Sequence, residues 1–228
     1  MYGDEEYQAA EQKRGYEVAA RYRYIGEKLG SVMRAFLTST ICGTIMVLLS
    51  ASAGVIDSSG SAFLFLLIAF GLAIAVIGFS IYYCVCVIQL GRYYDSFKTA
   101  GILYIVSSVV GSVDEKVSDP ALLMVLMLFG VVLSLVQTKF FVDGMTSCLN
   151  GVDPSLQDTW SLYWKAFVIS MVVSAACAVG IVASQSVSLA LFSAVAMAVI
   201  DLAMAIWELI LIKRSSDTLI YYSYTIEQ

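Results

Sequence analysis

Asp201 and Glu208 are the residues whose type and position most invite chemistry. Asp201 stands thirteen residues after Ser188 and twelve before Lys213 in an otherwise apolar stretch. An ionised carboxylate at bilayer midplane is costly, so a residue placed there serves as a proton carrier, as a counter-charge or as a protonated hydrogen-bonded contact between helices. Glu208 follows seven residues later, two turns along one helix face, with Ala194, Ala198 and Ala205 on that face. Leu191, Val195, Val199, Leu202, Ile206 and Leu209 occupy the other sides. The acidic face is therefore expected to point inward and the aliphatic sides to meet lipid.

Counting inward from the ends of the other apolar stretches brings Thr44, Tyr82, Ser107 and Ser174 to depths similar to that of Asp201. These five are the expected binding layer for a small cation or polar solute, with Asp201 carrying charge or proton and Tyr82 as hydrogen-bond partner. Glu208, beside Trp207 and near Lys213, and Gln137 in the fourth stretch are expected at interfacial or gating positions. The alternative for Asp201 is a protonated contact that only packs helices together or meets another subunit.

Other chemistries are disfavoured residue by residue. The chain has no histidine, which removes bis-His haem ligation, Ser-His-Asp catalysis and the common zinc sites. Intramembrane aspartyl proteolysis needs two carboxylates brought together, and only Asp201 is deep. Cys84 and Cys86 diverge on helix faces, and a disulfide framework is not expected from the five cysteines, four of which fall in apolar stretches. Neither a P-loop nor a dinucleotide fingerprint occurs. An enzyme is not expected, nor is a metal, a cofactor or a nucleic-acid partner.

The elements that must position these residues follow from composition. Hydrophobic residues make up 60% of the 228 and charged residues only 14%, with a net charge of −5. That leaves too little polar surface to wrap a water-soluble core. The apolar stretches at about 35–56, 61–90 and 187–212 each exceed the ~20 residues a helix needs to cross a bilayer. Two more run over 120–139 and 166–184, and a shorter sixth over 98–113. Runs such as Phe63 to Ala69 are apolar on all sides, which rules out the alternation of a β-barrel strand. The expected fold is an all-α polytopic membrane bundle.

Charge placement arbitrates the doubtful 98–113 segment. If it spans, twelve of the thirteen bases lie on the side of the N-terminus and only Lys116 lies opposite; if it does not, the split falls to nine and four. The excess of bases on cytoplasmic loops favours six spans with both termini in the cytoplasm, in the cell membrane. The spans then form three hairpins, with outer loops at 57–60, 112–119 and 185–186 and a longest inner loop from Asp143 to Trp164.

Short similarities recur where hairpins begin, Arg34-Ala35-Phe36 and Lys165-Ala166-Phe167 most clearly, with Lys98-Thr99-Ala100 looser. They read as a parallel internal repeat, although cytoplasmic helix ends alone produce a base followed by apolar residues. Three hairpins invite comparison with mitochondrial carriers, but the repeated Pro-x-acid-x-x-base motif is missing and the only prolines are Pro120 and Pro154.

Residues 1–33 form a charged tail in which Val18, Tyr22, Ile25 and Leu29 share one helical face. The face is expected either against the inner leaflet or capping the bundle. Residues 215–228 form a cytoplasmic tail with Tyr221, Tyr222 and Tyr224. In layout, six spans after an amphipathic segment resemble the membrane subunit of some export ABC transporters, with no motif behind the likeness.

The expected role is a transport component, either a solute or ion pathway or the permease subunit of a complex that draws on a separate ATPase. The alternative is a non-transporting scaffold or accessory subunit that organises membrane proteins or lipids. The lipid bilayer is the one partner that composition demands.

Overall fold

The computed structural model describes residues 2–52, 59–114, 120–184 and 187–227. All of them fall in six helices and two tight turns. The helices are α1 (Tyr2–Ser52), α2 (Ser59–Leu90), α3 (Asp95–Asp114), α4 (Pro120–Leu149), α5 (Pro154–Ser184) and α6 (Val187–Glu227). The expected outer loops fall largely on Asp57, Ser58, residues 115–119 and residues 185–186, which lie outside the described residues, as does Lys116.

Five helices are long and apolar enough to cross a membrane, as an integral membrane protein requires; α3 is not among them. Each helix packs on the next in chain order, and α6 closes back on α1.

Several helices far outrun a bilayer. At ~1.5 Å per residue, the 51 residues of α1 reach about 76 Å and the 41 of α6 about 61 Å, against ~30 Å of hydrocarbon. The charged N-terminal tail from Tyr2 is the first part of α1, continuous with the first apolar stretch. The C-terminal tail likewise continues α6 as helix to Glu227. The stretch from Asp143 to Trp164, expected as a loop, is helix apart from the turn at 150–153.

That turn is written in its residues. Gly151 takes φ +78°, the left-handed conformation that ends a helix at low cost only for glycine. Asp153 Oδ1 accepts the Leu156 amide at 3.0 Å and so caps α5, with Pro154 at the first helical position, where no amide is needed.

The buried core lies almost wholly at one end of the bundle. It joins Ile25, Leu29 and Val32 of α1 to Val87 and Leu90 of α2, Phe97 of α3, Met145 and Leu149 of α4, Trp160 and Tyr163 of α5, and Ile212 and Leu219 of α6. Twelve of the thirteen bases belong to the helix segments and the α2–α3 turn at this end. Towards the other end, Leu133 and Ser193 are the buried side chains among the described residues, and the apolar surface there is largely exposed.

Helical geometry divides α1 into three stripes. Ile25 and Leu29 enter the core. Gly26 and Gly30 face α6, and Arg21 and Tyr24 face the α2–α3 turn. Of the tail's apolar face, Ile25 and Leu29 are buried in the core and Tyr22 packs against it, while Val18 is exposed.

Candidate functional site

The structure does not gather the expected midplane layer. Asp201 is exposed on α6, flanked by Val199 and Leu202 at 61% and 53% exposure. Thr44 is exposed, with its hydroxyl bonded back to the Thr40 carbonyl at 2.8 Å, and Tyr82 is exposed too. Ser107 and Ser174 are half-buried. Among the described residues, no hydrogen bond joins Asp201 to any of these four. The aliphatic sides of α6 are exposed as expected, and Asp201 is exposed as well. Among the described residues the buried core lies almost wholly at the basic end, away from the level of Asp201.

Glu208 is drawn into the protein. It is half-buried, and Tyr163 Oη donates to its Oε2 at 2.9 Å across the α5–α6 interface. Tyr83 is buried close enough to interact electrostatically with the same carboxylate, and Tyr104 packs against Tyr83 with ring centroids 5.1 Å apart. Trp207 meets Tyr163 edge-on at 5.7 Å. The partner of Glu208 is therefore a tyrosine on another helix, not the nearby Lys213. Gln137 is half-buried on α4, with no described bond to this group.

An aromatic chain continues from there into the core, from Tyr163 to Trp160, Phe141 and Phe97, each pair at 5.6–5.9 Å and close to perpendicular. Trp160 Nε1 donates to Ser215 Oγ at 3.0 Å. This network gives α5 and α6 two polar ties, at Glu208 and at Ser215, inside an apolar packing.

A second cluster, which the sequence reading did not assemble, surrounds the α2–α3 turn. The Arg21 guanidinium lies over the rings of Tyr93 and Tyr94, at 5.3 and 4.8 Å from their centroids. Arg92 approaches Tyr93 at 5.9 Å, Lys28 lies over Tyr24 at 5.7 Å, and Tyr24 meets Tyr93 at 5.6 Å. Gly91 brings Lys98 in as well, since a Cβ on Gly91 would overlap the Lys98 Cβ. Burial pushes the Tyr94 hydroxyl pKa up, and Arg21 pulls against it. The sequence signal was the spacing of Arg21, Tyr24 and Lys28 on one helix stripe. What it lacked was their convergence on Arg92-Tyr93-Tyr94.

No group of three or more Cys, Asp or Glu among the described residues is placed to share a metal ion. No protein-family model, curated protein or solved structure matches this chain.

Proposed function

We propose that the chain is a six-span subunit of a larger membrane assembly, with both termini in the cytoplasm, working as a scaffold or accessory subunit for partner membrane proteins. The observation that carries this reading is the exposure of Asp201 in the apolar middle of α6. A carboxyl group facing hydrocarbon is expensive, so a partner helix that hydrogen-bonds or neutralises it gains stability from covering it. The collection of bases at the packed end supports a cytoplasmic placement of that end.

Transport is the second reading, and it is favoured by the same residue. As the permease component of a complex, this chain contributes Asp201 to a path completed by another subunit, while an ATPase is a separate polypeptide. A self-contained path is less well supported, because Thr44, Tyr82, Ser107 and Ser174 are not joined to Asp201.

The test is photo-crosslinking in native membranes from positions 198 and 205, which share the Asp201 face, followed by mass spectrometry of the adducts. A defined polypeptide adduct, lost in an Asp201→Leu background, supports the assembly reading. Adducts to lipid alone, unchanged by the substitution, would overturn it. Solute flux measured on the same crosslinked complex separates the scaffold from the permease.

A further inference from the structure

The geometry points to the cluster at the α2–α3 turn as a binding site for the phosphate headgroup of an anionic phospholipid. Four cations converge there, Arg21, Lys28, Arg92 and Lys98, and none of them forms an ion pair with a described acid. The nearest acids in sequence on the contributing helices are Glu17, Glu27 and Asp95, so the bases outnumber the acids. Arg21 Nε is buried without a hydrogen-bond partner, as is Nε of the ion-paired Arg23.

Two of the other described bases are held in ion pairs. Arg23 pairs with Glu227 and Lys139 with Asp143, each at 2.6 Å. At the α2–α3 turn the rings of Tyr93 and Tyr94 hold Arg21 in place, while Arg92 and Lys98 are exposed. A guanidinium fork held beside two exposed cations matches the chemistry of a phosphodiester, which accepts two parallel N–H bonds from arginine.

The source of the phosphate is argued from position. Arg92 follows the end of the apolar α2 by two residues, and Lys98 precedes the apolar part of α3. The site thus adjoins two helices as they leave the apolar layer, and tyrosine is a residue of that boundary. Each base near an anionic surface contributes roughly fivefold in affinity, so removing two lowers binding on the order of 25-fold. This inference does not depend on the assembly reading, because it concerns the chain alone in a bilayer.

The experiment uses the full chain in nanodiscs of phosphatidylcholine with or without phosphatidylglycerol, read by thermal midpoint and by mass spectrometry of bound lipid. The expected result is that phosphatidylglycerol raises the midpoint and is enriched around the wild type. In Arg92→Gln/Lys98→Gln both effects are lost while the midpoint in pure phosphatidylcholine is unchanged, and Lys165→Gln/Lys213→Gln keeps both. Equal enrichment around the two double variants and the wild type would overturn the site. A midpoint rise of the same size with inorganic phosphate in phosphatidylcholine discs would overturn the lipid as its ligand.

Discussion

Ser216 Oγ donates to the carbonyl oxygen of Gly26 at 2.7 Å, joining α6 to α1 across 190 residues of chain. The bond forms because Gly26 has no side chain. A Cβ there would come within 2.9 Å of the Ser216 carbonyl oxygen and 2.6 Å of Ile220 Cγ1. The closure of the helix ring is thus set by a backbone-to-backbone approach that only glycine allows.

Gly26→Ala should therefore destabilise the bundle by about 1–3 kcal/mol through overpacking, despite alanine's better helix propensity. Gly30→Ala meets nothing closer than Ser216 Oγ at 3.5 Å and should be neutral or mildly stabilising. Thermal unfolding of both variants in one detergent checks the contrast, and equal midpoints would deny the close crossing.

Trp160 is fully buried and its indole N–H ends on Ser215. Trp160→Ala should cost about 3–5 kcal/mol as a cavity. Ser215→Ala leaves the indole donor buried and unmet, at about 1–3 kcal/mol. Because the two residues share one bond, the double variant should cost less than the sum of the singles. Strict additivity in a double-mutant cycle would show that the bond contributes nothing.

The sequence made the helices and most apolar stretches legible because hydrocarbon imposes one periodicity and one minimum length. It also showed the stripe of Ile25 and Leu29, but an amphipathic face does not name what covers it. The stretch 143–164 reads as a loop because it falls between two apolar spans, although Met145, Leu149, Leu156 and Trp160 at helical spacing are the buried side. The exposure of Asp201 was not legible for a related reason. Its depth follows from counting residues, whereas the direction of its face depends on how far apart the helices stand at that level.

Cys148 offers a probe of the packed end. It is fully buried, and burial pushes its thiol pKa up to about 12, with its own backbone and Arg21 only partly opposing. A folded-state value above the unfolded ~8.5 means that the neutral thiol's contribution to stability is complete below about pH 8.5 and is lost as pH rises towards 12. At pH 7.5 a maleimide should label Cys148 only after unfolding, as read by peptide mass spectrometry with and without denaturant. Rapid labelling of the folded chain would contradict the packing of α4 at this point.

Asp201 separates two pictures of α6 by stability alone. If the carboxyl were a buried contact between helices of this chain, Asp201→Ala would leave its partner unmet and cost about 1–3 kcal/mol. The structure instead exposes Asp201 and gives it no described bond, so the unfolding free energy of the purified chain should move by less than about 0.5 kcal/mol, as at other exposed sites. Asp201→Leu should be neutral or stabilising in the isolated chain, because leucine inserts into hydrocarbon far more readily than aspartate. Chemical unfolding of the three proteins in mixed micelles checks this, and a loss of 2 kcal/mol or more in the alanine variant would restore the inward-facing carboxyl. With stability held constant, any loss of a co-purified partner in Asp201→Leu then reports on what covers α6 in the membrane and not on folding.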